Sequence, residues 1–528
     1  MGSLTFAQAD STISFQDVSL ASGVRAPHRA VWDPAGTGEG YLAVGQAWGD
    51  YDSDGRLDLY VTGNLAVNVL YHNEGDGQFS VSSLSRNLSL PQAKSGGAIW
   101  VDYNNDGWRD LYVLTDGPNV LFRNNAGQSF SDVTEAAGVG DTGKGSSATW
   151  GDYDGDGFLD LYVVNWSCLP ACQPEDVALS RDTLYRNLGD GIFADVTYLL
   201  EADKTLGAGF AASFVDVDSD GDQDLFVVND KMTNPIGNVL WRNDGPGCDG
   251  WCWRDMSTEA GLDSKIHAMG LAIGDYDNNS QQDVFVTNMM SPMILARNLG
   301  QGRFENTSES AGVIILDRHR DAVGWGTEFI DFDNDGLLDL YVATSAMQPR
   351  APGLYSGQQP DMEDMHYPYP DLVYRNLGDR TFQQVEEAVG QAEYATMGFA
   401  YADYDNDGRV DFVQGNWNDT YALYRNESPI SNNWLTVNLV GGGEVNRDAA
   451  GTRVYLTSSD GVTQMREVVL GSSLGSGHDP RLHFGLGEAT VSELRVIWTN
   501  GLEQRFYDVT HNQIFKLIYT VGEEDTND

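Results

Sequence analysis

Short apolar strand-like stretches alternate with polar turns through most of the chain, and they recur in a fixed order. A stretch such as 46–48 is followed by an acidic turn, a second apolar stretch such as 59–61, and a block such as 70–73 with the pattern Leu-Tyr-His/Arg-Asn. A Gly-rich turn and a fourth stretch such as 130–134 complete the unit. Aromatic and β-branched residues between turn signals are typical of strands. Each unit therefore predicts four antiparallel strands.

The unit recurs seven times, with its acidic turns beginning at residues 50, 102, 152, 216, 275, 331 and 403. Four-stranded units at such a spacing are typical of a β-propeller, so the predicted fold is all-β with seven blades. The seventh unit ends after Asn426 without a fourth strand, and Phe15–Ser19 has the pattern of that missing strand. We therefore expect the N-terminal strand to complete the last blade, with an ordinary leading strand as the alternative.

The acidic turns share a nine-residue pattern with side-chain oxygens at positions 1, 3, 5 and 9 and, in most copies, Gly at position 6. Alternate oxygens on a turning loop suit Ca²⁺, and position 7 can add its backbone carbonyl. The predicted ligands are Asp50, Asp52, Asp54, Arg56 and Asp58; Asp102, Asn104, Asp106, Trp108 and Asp110; Asp152, Asp154, Asp156, Phe158 and Asp160; Asp216, Asp218, Asp220, Asp222 and Asp224; Asp275, Asp277, Asn279, Gln281 and Asp283; Asp331, Asp333, Asp335, Leu337 and Asp339; Asp403, Asp405, Asp407, Arg409 and Asp411.

An acidic hairpin turn without a metal is the alternative for any single copy, and seven copies favour calcium. We expect about six or seven Ca²⁺ ions, one for each blade. The fifth loop has Asn279 at position 5 and Ser280 where Gly is expected, which predicts a weak or empty site. The second loop has Asn104 at position 3 and so carries one charge less.

The net charge disfavours two classes of partner. The chain has 78 Asp and Glu against 31 Lys and Arg, a formal net charge of −47. Nucleic acids and anionic membranes bind through basic patches, so neither is an expected partner. A large net charge also keeps a folded protein soluble and monomeric. No apolar run approaches the ~20 residues of a membrane span.

From about residue 432 a different pattern begins. Alternating apolar and polar residues at 434–440, 494–498 and 515–519 predict a small β-sandwich or barrel. The seven units resemble the FG-GAP (VCBS) repeats of integrin-α-like propellers. Segments 446–454 (NRDAAGTRV) and 482–487 (LHFGLG) resemble the ASPIC/UnbV domain.

The chain thus resembles the family of cartilage acidic protein and its bacterial UnbV-like relatives. That resemblance implies calcium-binding extracytoplasmic proteins, some with adhesion roles. The expected divisions are a tag remnant with the end of a leader (1–14), the propeller (15–429), the ASPIC/UnbV domain (430–520) and an acidic tail (521–528).

The four cysteines form two pairs with three residues between them, which favours two local disulfides, Cys168–Cys172 and Cys248–Cys252, over a zinc site. Disulfides favour an oxidising compartment, so we expect a secreted protein, extracellular or periplasmic. The residues before Asp10 also end like a signal-cleavage site.

No nucleophile motif or nucleotide-binding loop is apparent, so the sequence favours a recognition or adhesion scaffold for a protein or glycan over an enzyme. A structural role among other subunits is a third possibility. The alternative enzyme, a lyase or cyclase acting on a carbohydrate or small molecule, would use the face opposite the acidic loops. Its candidate catalytic residues are His267, Arg318, His319, Arg320 and His366. Polar loop residues and internal salt bridges explain the same side chains without catalysis. His478 and His483 are expected to pack within the C-terminal domain.

Overall fold

A computed structural model describes residues 13–31, 41–167, 181–231, 236–248, 250–289, 292–313, 322–347, 366–386, 388–390, 394–429 and 431–520. Within them the chain forms seven antiparallel sheets of the propeller and two sheets of a C-terminal domain. The predicted all-β propeller followed by a smaller β-domain is confirmed. None of the described helices is long and apolar enough to cross a membrane.

The strands follow one another in the order that the sequence predicts. The first is β1 (Phe15–Asp17). Blades one to three contain β2 (Gln46–Gly49), β3 (Asp58–Val61), β4 (Val69–Gly75) and β5 (Gln78–Val81); β6 (Ser95–Val101), β7 (Asp110–Thr115), β8 (Val120–Asn124) and β9 (Phe130–Asp132); β10 (Gly145–Gly151), β11 (Asp160–Asn165), β12 (Thr183–Asn187) and β13 (Phe193–Asp195).

Blades four to seven contain β14 (Gly209–Val215), β15 (Asp224–Asn229), β16 (Val239–Gly247) and β17 (Gly250–Asp255); β18 (Ala268–Gly274), β19 (Asp283–Asn288), β20 (Ile294–Asn298) and β21 (Phe304–Asn306); β22 (Ala322–Ile330), β23 (Asp339–Met347), β24 (His366–Pro368), β25 (Leu372–Asn376) and β26 (Phe382–Gln384); β27 (Thr396–Ala402), β28 (Asp411–Asn416) and β29 (Ala422–Asn426). The short helices are α1 (Ser19–Ser22), α2 (Thr134–Ala137), α3 (Ser257–Ala260) and α4 (Ser308–Ala311), with 3₁₀ turns at Ser85–Leu88, Thr197–Leu199 and Lys204–Leu206.

The seven blades form a closed ring. The first strand of each blade contacts the first strand of the next, and β27 of the last blade contacts β2 of the first. The N-terminal strand β1 pairs antiparallel with β29, so it supplies the fourth strand of blade seven. Near the ring axis the first strands approach so closely that a Cβ on Gly45 would lie 2.3 Å from the Cα of Gly97. Only glycine fits at such a backbone contact.

The C-terminal domain has two sheets. Its strands are β30 (Asn433–Val440), β31 (Arg453–Ser458), β32 (Thr463–Glu467), β33 (Leu482–Gly487), β34 (Val491–Ile497), β35 (Glu503–Phe506) and β36 (Gln513–Ile518). One sheet has the order β33-β30-β36 and the other β32-β31-β34-β35. Their apolar inner faces form one core with side chains of blades two and three. Trp498 of the C-terminal domain and Trp150 of blade three both belong to this core. Because the two units share a core, we expect them to unfold together.

Residues 470–479, which we call the plug, run from the C-terminal domain into the centre of the ring. Gly477 N donates to Gln46 O at 2.9 Å, and Trp150 N donates to Leu470 O at 2.8 Å. Further plug contacts reach first strands of blades two, five, six and seven, through Ala98, Leu271, Thr327 and Tyr401 respectively. Leu474 is fully buried in the core that lines the ring axis. The plug therefore fills the channel from the acidic-loop side.

Candidate metal sites in the blade loops

Each acidic turn folds around its own position-1 carboxylate. In the first loop Asp50 Oδ1 accepts a hydrogen bond from Asp54 N at 3.0 Å, and Oδ2 accepts one from Gly55 N at 2.9 Å. Ser53 at position 4 and Gly55 at position 6 adopt left-handed φ values of 61° and 88°. Left-handed backbone favours Gly and, among other residues, Asn and Asp. The alternation of right- and left-handed residues makes the turn tight enough to bring alternate side chains together.

The same bonds to the position-1 carboxylate recur in the other loops, except that Ser219 N replaces the position-5 donor in the fourth. The fifth loop keeps them without a glycine, because Ser280 takes a left-handed φ of 65° and Ser280 N donates to Asp275 Oδ2 at 2.8 Å. Its backbone therefore matches the other loops. Its occupancy by an ion stays a prediction.

The position-9 carboxylate anchors each loop to the blade. Asp58 is fully buried; its Oδ1 accepts from Asn73 N at 2.9 Å and its Oδ2 from Tyr51 N at 3.2 Å. The Oδ1 bond has a counterpart in all seven blades, always from the Asn of the Leu-Tyr-His/Arg-Asn block in the third strand. The position-9 side chain is thereby fixed beside positions 1 and 3.

The same Asn joins neighbouring blades. The Asn124 Nδ2 donates to Arg109 O in its own blade at 2.9 Å and to Tyr51 O in the preceding blade at 2.8 Å. Every blade repeats this pair of bonds. The seven residues are Asn73, Asn124, Asn187, Asn243, Asn298, Asn376 and Asn426. Sequence reasoning recognised the motif but missed this role, although the unbroken recurrence of Asn was the available signal.

The position-3 carboxylates fit a cation. Asp277 is almost fully buried, and its Oδ2 lies 2.6 Å from Arg297 Nε. Its Oδ1 is buried and has no hydrogen-bond partner among the described residues, as is also true of Oδ1 of Asp52 and of Asp405. A buried carboxylate oxygen without a donor is costly unless a cation meets it. In loops three, four and five, ligand oxygens of positions 1, 3 and 9 all lie within 4.8 Å of one another. This donor set suits a hard divalent cation.

Burial, and after it the neighbouring carboxylates, raises the pKa of the position-9 carboxyls in all seven loops. Burial raises the pKa of Asp58 to about 8 and that of Asp110 to about 9. Burial, and then repulsion by Asp154 and Asp152, holds the pKa of Asp160 well above its usual range. Without a cation, burial therefore favours the protonated form of these position-9 carboxyls. A bound cation would reverse this effect, because an opposite charge favours the carboxylate form.

The C-terminal domain lies on the face that carries these loops. Arg453 Nη1 is 2.7 Å from Asp216 Oδ2, and Arg481 Nη2 donates to Asp403 O at 2.8 Å. His478 stacks on Tyr401 with ring centroids 4.6 Å apart, and His483 Nε2 lies 2.6 Å from Asn334 Oδ1. Both histidines, expected to pack within their own domain, also contact the ring. Cationic groups of one domain thus meet the acidic loops of the other.

The residues considered for catalysis are only partly described. His267 precedes β18, and its Nδ1 is 2.7 Å from Asp230 Oδ1. Trp166 Nε1 donates to Asp230 Oδ2 at 3.1 Å. His366 begins β24, which pairs with β23 through its backbone. Arg318, His319 and Arg320 lie outside the described residues, so the structure does not test whether His319 and His267 share a pocket.

Lysines that precede the first strands of blades two, three and four form salt bridges. Lys94 Nζ and Lys144 Nζ each lie 3.5 Å from a carboxylate oxygen of Asp116. Lys204 Nζ lies 2.8 Å from Asp255 Oδ2. In the β16–β17 hairpin the Cys248–Cys252 disulfide is present, with Cα atoms 5.2 Å apart. The predicted Cys168–Cys172 disulfide lies outside the described residues.

Comparison with known families agrees with this organisation. The family profile described as FG-GAP-like repeat matches residues 50–108, 102–163, 216–286, 275–342 and 365–413, more than half of the chain. The profile described as ASPIC and UnbV matches residues 442–526.

Among curated proteins, cartilage acidic protein 1 of Mus musculus is 24% identical over 400 residues, covering 66% of this chain and 61% of that protein. Cartilage acidic protein 1 of Homo sapiens is 23% identical over 404 residues, covering 67% and 60%. The chain therefore spans about 60% of the length of these curated relatives.

Solved structures resemble the chain at low identity. The BP39L lectin from Burkholderia pseudomallei has a TM-score of 0.46 at 9% identity, covering 74% of this chain and 97% of that chain. YCF48 bound to D1 peptide has a TM-score of 0.41 at 7% identity, covering 77% and 99%.

Proposed function

The chain belongs to the FG-GAP-like repeat family and carries a C-terminal ASPIC and UnbV domain, and from this premise we propose that it is a secreted, calcium-binding recognition scaffold for a protein or glycan. Its acidic loops would hold about six or seven Ca²⁺ ions through the side-chain oxygens at positions 1, 3, 5 and 9 and the carbonyl at position 7. When bound, the cations would neutralise the buried carboxylates and fix the loops against the C-terminal domain.

The buried, donor-free oxygen of the position-3 carboxylate is the observation that carries this proposal. At Asp277 the arginine takes one oxygen and leaves the other turned away from any described donor. Water can solvate an acidic surface turn, and such turns are common without a metal. A buried carboxylate oxygen has no such solvation, so a cation is its best partner.

The proposed compartment supports the same function. Extracellular modules bind Ca²⁺ with dissociation constants of about 10⁻⁴–10⁻³ M. The Cys248–Cys252 disulfide is typical of proteins that fold in an oxidising environment. A cation at ten times its dissociation constant stabilises the folded state by about 1.4 kcal/mol for each site.

Recognition is assigned to the face opposite the loops. The C-terminal domain covers the acidic-loop face, and the plug fills the centre of the ring from that side. The sequence between the second and third strands of blades three and six is long, at 167–181 and 345–370, and the second strands β11 and β23 begin at the acidic loops and end on the other face. Long loops on a rigid scaffold are common sites of binding.

The test is metal analysis combined with thermal unfolding. Protein purified in Ca²⁺ and desalted is expected to retain about six or seven Ca²⁺ per chain by plasma emission spectrometry. Treatment with EDTA is expected to lower the melting temperature, and added Ca²⁺ to restore it. A melting temperature that stays constant after confirmed metal loss contradicts the proposal.

One observation favours an enzyme as the second candidate. Asp230 Oδ2 accepts a hydrogen bond from Trp166 Nε1, and Asp230 Oδ1 pairs with His267 Nδ1. This pairing orients the imidazole so that its Nε2 can act as a base. The His267 side chain is 12% exposed. The test is to incubate the wild type and His267→Asn with a panel of oligosaccharides and to follow substrate loss by NMR. Consumption by the wild type alone supports this candidate, and no consumption by either contradicts it for that substrate class.

A further inference from the structure

The first blade differs from the other six at one position beside its acidic loop. The third residue of the Leu-Tyr-His/Arg-Asn motif is histidine there and arginine elsewhere. The residues at this position are His72, Arg123, Arg186, Arg242, Arg297, Arg375 and Arg425.

In several blades this arginine meets the position-3 carboxylate. Arg297 Nε lies 2.6 Å from Asp277 Oδ2, and Arg375 Nε lies 2.8 Å from Asp333 Oδ2. A guanidinium offers five donors and no lone pair, so it cannot bind a metal ion. It lowers the negative charge of the loop and leaves carboxylate and carbonyl oxygens as the only ligands. Such all-oxygen sets favour Ca²⁺.

In blade one the imidazole takes that place with a nitrogen that can bind a metal. His72 Nδ1 lies 3.1 Å from Asp58 Oδ1 and 3.5 Å from Asp52 Oδ2. One ligand atom from each of these three residues lies within 4.8 Å of the other two. Asp52 Oδ1 is buried and has no hydrogen-bond partner among the described residues. Asp58 is fully buried, whereas the His72 side chain is 20% exposed, which leaves a route from solvent.

We propose that the first loop is a mixed nitrogen–oxygen site for a transition-metal dication of the Zn²⁺ type, held by His72, Asp52 and Asp58. Imidazole nitrogen with carboxylate oxygen is a donor set that suits Zn²⁺ and disfavours Ca²⁺. Asp50 and Asp54 form a second close group with Asp52, so either can supply a fourth ligand. His72 binds as the neutral imidazole, with its proton on Nε2 and its Nδ1 lone pair turned to the metal. This inference rests on the proposed function, since it assigns the other loops to Ca²⁺.

The experiment uses Co²⁺, whose visible absorption reports tetrahedral nitrogen–oxygen coordination, titrated into the full chain in excess Ca²⁺. The variants are His72→Arg, which installs the residue of the other six blades, and His72→Ala. The wild type is expected to bind one Co²⁺ that Zn²⁺ displaces, with an affinity more than about 10-fold above both variants. His511→Ala, a histidine outside every loop, is the matched control and is expected to titrate like the wild type.

A gain-of-site variant makes the test independent of loss of fold. Arg297→His places the same imidazole beside Asp277 and Asp283 in blade five and is expected to add a second Co²⁺ site. Identical Co²⁺ titrations of the wild type and His72→Arg, with Ca²⁺ retained by both, would overturn this inference alone. Absence of Ca²⁺ from every loop with the His72-dependent Co²⁺ site intact would overturn the proposed function alone.

Discussion

Asn73 Nδ2 donates to Tyr404 O at 3.0 Å, and this hydrogen bond joins the first blade to the last. The two residues are 331 positions apart in the chain. Asn73 Nδ2 also donates to Leu57 O at 3.0 Å within its own blade. The amide thus satisfies two buried carbonyls on either side of the closing seam. The same geometry joins every other pair of neighbouring blades, so the ring is closed by repetition of one local contact.

Asn73→Ala is expected to destabilise the protein by about 2–6 kcal/mol, because two buried carbonyls lose their donor at about 1–3 kcal/mol each. The measurement is equilibrium unfolding in urea with excess Ca²⁺. Asn87→Ala removes an exposed asparagine from the same blade and is expected to stay within about 0.5 kcal/mol of the wild type. Equal midpoints for Asn73→Ala and Asn87→Ala would show that the closing contact adds nothing.

Much of this architecture could be predicted from local pattern. Positions 1, 3, 5 and 9 of each loop, the strand after it and the Asn-containing block all recur along the sequence, and each acts within one blade. The role of Phe15 was predictable for the same reason, since its strand has the pattern of the missing one and pairs with Asn426. Because the unit repeats, a feature recognised in one blade predicts the same feature in the other six.

The remaining features depend on contacts between distant segments. Ser53 and Asn105 at position 4 are left-handed, a constraint hidden because Ser, Asn and Gly all fill that position. The plug is rich in Gly and Ser, and nothing in its composition indicates the strands that it meets. The stacking of His478 on Tyr401 could not be predicted for the same reason, because Tyr401 lies 77 residues away in the chain and in another domain.

The stabilisation by Ca²⁺ is expected to increase with pH. Burial raises the pKa of Asp58 to about 8 and of Asp110 to about 9, above the ordinary carboxyl value of 3.8 that applies in the unfolded chain. In the metal-free protein these groups stabilise the folded state fully only below about pH 4, and this contribution is lost as the pH rises through the folded pKa. Ca²⁺ binding requires the deprotonated carboxylates, so it is strongest at pH values above the folded-state pKa.

Melting temperatures with Ca²⁺ and with EDTA, measured between pH 5 and pH 8.5, check this expectation. The gap between the two is expected to widen steadily with pH, with the EDTA curve falling. A gap of constant size would mean that the loop carboxyls titrate normally in the metal-free protein.

Asn104→Asp is expected to strengthen the second site. Asn104 occupies position 3 of a loop that otherwise carries Asp102, Asp106 and Asp110, so the substitution adds one negative charge at a ligand position. Ligand charge is one of the factors that set Ca²⁺ affinity in such loops. Isothermal titration is expected to show one site tightening and the total stoichiometry unchanged. Asp405→Ala, at position 3 of the seventh loop, is the opposite change and is expected to reduce the bound Ca²⁺ by one ion.

Substitution of the position-6 glycine in the seventh loop is expected to loosen the C-terminal domain. Gly408 has φ 86°, and a Cβ there would lie 1.9 Å from Cε2 of Trp434, which belongs to β30 of that domain. Gly55 has nearly the same φ, 88°, but a Cβ there meets nothing within 4 Å. Comparing the same substitution at Gly55 and at Gly408 therefore separates the free-energy cost of backbone strain from that of collision with Trp434.

Gly55→Ala is expected to cost about 1–2 kcal/mol from its left-handed backbone alone. Gly408→Ala carries the same strain and must also displace the Trp434 ring, so its loss of stability is expected to exceed that of Gly55→Ala. Limited proteolysis across residues 427–433, followed by mass spectrometry, is expected to cut Gly408→Ala faster than Gly55→Ala or the wild type. Equal cleavage rates for the two variants would mean that the tryptophan accommodates the methyl group and that this contact does not hold the domain on the ring.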